Sequence, residues 1–436
     1  MNIIIAGAGN VGFYLARTLS IGHDVTMIDR NAEALNRLQE SLDIFPVHGD
    51  IEDPATYEKL TAHEADLFIA VADTDETNLI ATLIADEAIR VDRKYIRLKN
   101  RYFAKSAIRE KLGVTEAVFP LELTSQTVSM LLDYPKANNV KRFLHTGFKL
   151  ISVQVSPEVE PMTVREEGLA VVGIERKKRF FVPEESEALQ PGDLVYFFGD
   201  ETAIRRQCDR LETEVAPKIS RCVVFGAGEL GVTVAGMLAE RGKKVKLVEK
   251  EMALCERADE QLGGAAMTIN CSYGMAELFE HEHLGDADMA VAATDDDEYN
   301  IVKCLEARQY GVKKVVAVNN EPEYYNLMHR LGIVIVRGPK VSAYNAIVEK
   351  IGSNRVVLFR NFCGGRGAIF MRRIFAGSRW IGKTAPPLRR RTDEKVLLVR
   401  GERLLTLSEP LAEGDIVTLF CSEESQENAK EWINGF

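Results

Sequence analysis

The sequence predicts an α/β protein built by tandem duplication: two Rossmann-type, doubly wound parallel-sheet domains, each followed by a small α+β module. Three observations predict it. "GAGNVG" stands at residues 7–12 and "GAGELG" at 226–231. Each glycine run lies between a β-branched apolar run ("NIIIA", "RCVVF") and an amphipathic one ("VGFYLARTLSI", "VTVAGMLAERG"). Each is then followed by a second apolar run ending in an acid, Asp29 in "DVTMID" and Glu249 in "KVKLVE". A lone Gly-x-Gly-x-x-Gly is a weak signal. A strand, a glycine turn, a helix and an acid-ended strand in that order are the spacing a dinucleotide site requires.

The first element is therefore a strand, the turn Gly7-Ala8-Gly9-Asn10-Val11-Gly12, and a helix. Gly7 makes the tight turn, Gly9 lets the backbone approach a pyrophosphate, and Gly12 lets the helix pack closely on the strand. The helix start presents free N–H groups to the anion. Gly226-Ala227-Gly228-Glu229-Leu230-Gly231 repeats each role. Asp29 and Glu249 stand where a carboxylate accepts hydrogen bonds from the adenosine ribose, which favours NAD over NADP. Arg30 and Lys250 follow directly and weaken that exclusion or flank the adenine. A strand-end acid that merely caps the next loop is the alternative for Asp29 and Glu249.

The later elements continue the repeat. "IFPVHGD" reads as a third strand, "DLFIAVADTDETN" as a fourth strand and loop, "KYIRLKN" as a fifth, and "AVFP" as a short sixth before the helix "LELTSQTVSMLLDY". "DMAVAATDDDEYN", "KVVAVNNEPEYY" and "IVIVRGPKVSAYNAIVEKI" match the last three in the second half. Strands alternating with helices at this rhythm give a parallel sheet. Residues 147–213 and 366–423 read as short strands with a Gly-Asp turn before the last one, Gly192-Asp193 and Gly414-Asp415. The expected domains are 1–134, 135–214, 219–352 and 353–436, with linkers at 134–146, 214–220 and 353–365. The apolar faces of the two helices that close the Rossmann units either pack between units or only on their own sheet.

Further candidates line the carboxyl edge of each sheet, where the ligand crevice lies. Asp50 contacts the adenine side or caps the next helix. Ala72 and Asp73 end the fourth strand, with Ala293 and Thr294 as counterparts. Asp75, Glu76 and Asn78, like Asp297, Glu298 and Asn300, open the following helix, where acids complement its dipole. Arg97 on the fifth strand points into the crevice and pairs with a phosphate, or else forms an edge salt bridge. The halves differ: Val318 stands where Arg97 stands, and Cys271-Ser272 where Gly49-Asp50 stands.

Bulk properties bound the function. At 436 residues, 46% hydrophobic and 28% charged, the chain suits a soluble protein of two to four domains. A net charge of −10 argues against nucleic acid as the main partner. The basic runs 176–179 and 388–391 read as solvated faces or turns. No apolar stretch approaches the roughly 18 residues of a membrane span, and the chain enters a strand at once, with no expected signal peptide. Seven scattered cysteines without a C-x-x-C pair fit core thiols of a reduced cytosol. His281 and His283 would point to different sides of a helix, so no metal site is expected.

Together the two fingerprints, the "VADTDETN" and "VAATDDDEYN" loops and the Gly-Asp-turn modules resemble one family over essentially the whole chain. They resemble TrkA, the peripheral NAD-binding subunits of Trk potassium-uptake systems, built of two regulator-of-conductance (RCK) units in tandem. That resemblance implies NAD(H) as ligand, with ATP or ADP as alternatives. It implies a TrkH-like membrane potassium transporter subunit as partner, a homo-oligomeric tetramer ring, a peripheral place on the cytoplasmic face of the membrane, and gating rather than catalysis. Family members carry Thr where Ala72 stands. The competing readings are an NAD-dependent oxidoreductase and a regulator of another cation channel or antiporter. A dehydrogenase needs a substrate domain with a proton donor or acceptor. Here each Rossmann unit carries only a small β-rich module, no histidine recurs between halves, and no catalytic arrangement repeats.

Overall fold

A computed structural model describes residues 1–436 except 61–63, 106, 144, 213–217, 272–274, 352–355 and 386–392. The chain divides into two compact units, residues 1–123 with 339–356, and residues 124–338 with 357–436.

The first unit holds β1 (Asn2–Ala6), β2 (Asp24–Asp29), β3 (Phe45–His48), β4 (Glu64–Ala65), β5 (Leu67–Ala70), β6 (Arg90–Val91), β7 (Lys94–Arg97) and β8 (Glu116–Val118). Six of them form a sheet in the order β3-β2-β1-β5-β7-β8, and β4 pairs with β6 beside it. Every neighbour pair in the six-stranded sheet is parallel. The order reverses between β1 and β5, which opens a crevice at their carboxyl ends. Ile4, Ala6, Ile28, Phe68, Ala70 and Ile96 are buried beneath it. Such doubly covered strands read as continuous apolar runs because no face meets water.

Helix Pro339–Lys350 belongs to this unit although it follows the second fingerprint. Its Tyr344 hydroxyl lies 2.8 Å from Thr18 Oγ1 and its ring 5.9 Å from that of Tyr14. The Tyr95 hydroxyl donates to Lys350 O at 2.8 Å. Of the placements its apolar face left open, this helix takes packing on the other half of the repeat.

The second unit holds β9 (Ala137–Phe143), β10 (Thr146–Gln154), β11 (Leu169–Arg176), β12 (Arg179–Phe181) and β13 (Leu194–Gly199), in the order β12-β11-β13-β10-β9. It then holds β14 (Arg221–Phe225), β15 (Lys244–Glu249), β16 (Met267–Asn270), β17 (Met289–Ala292), β18 (Lys314–Asn319) and β19 (Val334–Arg337), again all parallel, in the order β16-β15-β14-β17-β18-β19. Last come β20 (Leu358–Phe362), β21 (Gly367–Arg373), β22 (Glu394–Arg400), β23 (Arg403–Leu405) and β24 (Ile416–Ser422), in the order β20-β21-β24-β22-β23. The two small sheets meet through an aromatic seam, with Phe180 5.3 Å and Tyr196 5.0 Å from Phe362, and Phe198 5.3 Å from Phe420. Edge-to-face and tilted rings there exclude water and fix the pairing.

Two expected linkers are strands. Residues 134–146 contain β9 and residues 353–365 contain β20, both sheet edges. In β9 the buried residues Ala137, Val140 and Phe143 recur every third position, because the register against β10 shifts twice, at Ser152/Val153 and at Thr146/Lys149. A bulge of this kind breaks the period-two signal by which strands are read. The expected linker at 214–220 and the basic run at 388–391 fall largely outside the described residues.

The Gly-Asp turns also differ from a plain reversal. Gly192 and Gly414 adopt φ of 84° and 89°. Asp193 receives Arg176 through Nε at 2.9 Å and Nη2 at 2.8 Å, and Asp415 receives Arg400 at 2.7 Å through both groups. Arg176 is therefore not a solvated cation, while Lys177 and Lys178 form the left-handed turn to β12.

Candidate functional site: two dinucleotide crevices

Gly7 has φ +112° and Gly226 φ +100°, a conformation that only glycine adopts without strain. A Cβ on Gly12 would lie 1.9 Å from Gly7 O, and one on Gly231 1.8 Å from Gly226 O. Those glycines are required by the protein itself. Gly9 and Gly228 are different: a Cβ on either meets nothing within 4 Å. They are the N-caps of helices Asn10–Leu19 and Glu229–Glu240, and no side chain caps either start. Open space before an uncapped helix is a ready anion site. Gly9, Asn10, Gly228 and Glu229 are exposed there, while Ala8, Val11, Gly12, Ala227, Leu230 and Gly231 are buried.

The carboxylates close the turn. Asp29 Oδ2 accepts from Ala8 N at 2.6 Å, and Oδ1 from Asn31 N at 2.7 Å. Glu249 Oε2 accepts from Ala227 N at 2.8 Å, and Oε1 from Lys250 N at 2.7 Å. Each therefore does hold the next loop. A carboxylate has about four acceptor positions, which leaves capacity for ribose hydroxyls. Arg30 and Lys250 are exposed beside them. Asp50 Oδ1 accepts from Glu52 N at 3.0 Å, and the following helix Pro54–Tyr57 is capped by Asp53 instead.

The buried acids after β5 and β17 do more than complement a helix dipole. Asp75 accepts from Lys99 N at 2.7 Å and Asn100 N at 2.8 Å. Asp297 accepts from Asn320 N at 2.8 Å and Glu321 N at 2.7 Å. Asn78 and Asn300 each bridge two strand ends, donating to the carbonyls of Ala72 and Arg97 and of Thr294 and Val318. The residues Asp-x-x-Asn thus tie the two loops that rim each crevice. Sequence reasoning missed this because the partners follow another strand, more than twenty positions away. The recurrence of the same spacing in both halves was the available signal.

Arg97 is buried at the rim, its Nη1 3.4 Å from Ala72 O and 3.7 Å from Asp73 Oδ1. Asp73 itself is exposed, and Ala72 N lies 3.0 Å from where a Cβ on Gly7 would stand. Ala293 is buried, and Thr294 Oγ1 donates to Asn300 Oδ1 at 2.7 Å rather than into the crevice. In the second crevice Val318 is fully buried and brings no cation. Registers support the pairing of the two positions: Arg97 sits opposite Val118 and Val318 opposite Val336. Cys271 N donates to Glu249 O at 2.7 Å as Gly49 N does to Asp29 O at 3.1 Å, while Ser272 lies outside the described residues.

His281 ends helix Met275–His281, and His283 lies beyond it at φ +49°. The two are not on one helix. Among the described residues no helix is long and apolar enough to cross a membrane.

The model of the TrkA-N domain family matches residues 3–120 and again 222–339. The chain belongs to that family. Its TrkA-N domains cover both crevices, so the resemblance seen in the sequence holds over both halves. A Trk system potassium uptake protein TrkA homolog of Archaeoglobus fulgidus is 27% identical over 418 residues, 93% of each chain. The Trk system potassium uptake protein TrkA of Vibrio alginolyticus is 28% identical over 365 residues, 80% of this chain and 79% of the relative. Among solved structures, the GsuK channel bound to NAD aligns over 100% of this chain and 79% of its own, with a TM-score of 0.59 at 17% identity. The GsuK RCK domain aligns over 100% and 95%, with a TM-score of 0.58 at 18% identity. The TrkA-N chain therefore shares the tandem RCK fold.

Proposed function

We propose that this chain is the nucleotide-binding regulatory subunit of a Trk-type potassium uptake system. NAD(H) binds the first crevice with its pyrophosphate on residues 7–12 and a ribose on Asp29, and Arg97 faces a phosphate. The second crevice takes a nucleotide more weakly, or a different one such as ATP or ADP. The domains are 1–134, 135–214, 219–352 and 353–436, with helix Pro339–Lys350 of the third packed on the first, in a cytosolic homo-oligomer, a tetramer ring, docked on a TrkH-like membrane subunit.

One observation carries this reading: the nucleotide cradle is built twice, down to the Asp-x-x-Asn ties, in a chain whose curated relatives are potassium uptake proteins. The protein's own part is binding and transmission. A ligand shifts a conformational equilibrium only through unequal affinity for two states. The loops held by Asp75 and Asn78 rim the crevice, so a nucleotide that contacts them favours one loop arrangement over others. The dinucleotide serves as a ligand, and no hydride transfer is assigned.

The test is potassium flux in proteoliposomes holding the transporter and this chain, with NAD, NADH, ATP and ADP added in turn. Nucleotide-dependent flux is expected. Flux indifferent to every nucleotide, or steady NADH turnover with a small-molecule substrate, contradicts the proposal.

A further inference from the structure

We propose that Glu175, His329 and Cys363 form a binding site for a divalent cation of the zinc class. They come from three segments of the second unit: the end of β11, helix Tyr324–Arg330, and the turn Cys363–Gly365 after β20. The site goes beyond nucleotide regulation and does not rest on it.

The geometry is that of a three-ligand cradle. One atom from each residue lies within 4.8 Å of the others. His329 Nε2 is 2.7 Å from Glu175 Oε2, Cys363 Sγ is 3.3 Å from the same oxygen, and Sγ is 3.9 Å from Nε2. A tetrahedral ion with sulfur at about 2.3 Å and nitrogen or oxygen at about 2.0–2.2 Å needs edges of roughly 3.3–3.6 Å. Two edges are already within a few tenths of an ångström. The third opens by about half an ångström when the Glu–His hydrogen bond gives way to a shared cation. Glutamate, imidazole and thiolate together suit a borderline-soft ion rather than calcium or magnesium.

Three surrounding features fit the same purpose. Cys363, Gly364 and Gly365 run at φ of 51°, 64° and 95°. A cysteine in the left-handed region is uncommon, and such a backbone points to a constraint at that site. The turn sets Gly364 against the His329 helix, where a Cβ would lie 3.1 Å from His329 Cδ2 and 3.3 Å from Asn326 Oδ1. Asn326 Oδ1, one helical turn before His329, is buried without a hydrogen-bond partner. Finally, Arg366 Nη2 donates to Glu175 Oε1 at 2.8 Å and to Cys363 Sγ at 3.5 Å. It engages the carboxylate oxygen opposite the cradle, as outer-shell donors do in metal sites. Carboxylate, thiolate and Arg366 sum to one negative charge, which a divalent cation overcompensates once the thiol releases its proton. A bound ion ties both small modules to the second parallel sheet.

The test uses the full chain stripped with chelator and titrated with Co²⁺, followed by Zn²⁺. One Co²⁺ per chain is expected, with sulfur-to-cobalt absorption in the ultraviolet that Zn²⁺ displaces. Cys363→Ser should abolish that absorption, and His329→Gln should raise the Zn²⁺ dissociation constant by about a hundredfold or more. Absence of the sulfur-to-cobalt band in the unaltered chain overturns the proposal. So does the same band in Cys363→Ser, or unchanged Zn²⁺ affinity in His329→Gln.

Discussion

Asn78 holds Ala72 from both sides: its Oδ1 accepts from Ala72 N at 2.7 Å and its Nδ2 donates to Ala72 O at 2.9 Å. Asn300 does the same for Thr294, at 3.1 and 2.9 Å. The amide replaces the backbone partners that the strand end lacks. Asn78→Ala leaves buried main-chain groups unsatisfied, at about 1–3 kcal/mol. Chemical unfolding should register that loss, and NADH affinity should fall with it because the crevice rim slackens.

Gly12→Ala should be a folding defect, not a binding defect. Its methyl would stand 1.9 Å from Gly7 O, which is backbone and has nowhere to go. The expected loss is about 3 kcal/mol, read as a lowered Tm without any nucleotide present. A Tm equal to that of the unaltered protein would show that the turn yields more easily than its geometry allows.

The first crevice should bind more tightly than the second. Arg97 offers a charge-assisted contact that Val318 cannot, worth roughly 1.5–3 kcal/mol or about ten- to a hundredfold. Arg97→Val should reduce the tight class of sites by that factor. Gly228→Val, which blocks only the second crevice, should leave the class intact. Loss of tight sites in Gly228→Val reverses the ranking.

Thiol reactivity should separate one cysteine from six. Burial pushes Cys208, Cys222, Cys304, Cys363 and Cys421 up to about 12, and burial raises Cys255 as well. Only the thiolate attacks a disulfide reagent, so these groups are nearly inert at about pH 8. Cys271 is half-buried and should react first in the folded protein. All seven should react in denaturant, and Cys271→Ser should remove the fast phase.

Lys314 reaches the carbonyls of Tyr134, Pro135 and Ala137 at 3.4, 3.0 and 3.1 Å. Lys314→Met strips a cation from three acceptors and should cost about 1.5–3 kcal/mol in equilibrium unfolding. A Lys314→Arg variant that recovers most of the loss would attribute it to charge and donors.

What the sequence disclosed is what is local. Gly7 and Gly12 could be assigned roles because turn and contact fall within six residues, and the duplication placed Val318 against Arg97 without any coordinates. What stayed hidden depends on partners far along the chain. The apolar face of Pro339–Lys350 was visible, but a face says that it is buried and not by whom; its partners proved to be Tyr14 and Thr18. Asp75 looked like a helix-dipole acid because its acceptors' donors, Lys99 and Asn100, sit after another strand. Glu175, His329 and Cys363 have no spacing to recognise, since 34 to 188 positions separate them.

Calorimetric titration of Gly9→Val with NADH asks whether residues 7–12 seat a dinucleotide pyrophosphate. The substitution places its side chain in space that no protein atom occupies within 4 Å of the Cβ, so the fold should survive with its Tm nearly unchanged. The expected result is a folded protein that has lost the tight class of NADH sites. A folded Gly9→Val protein with unchanged NADH affinity would contradict it.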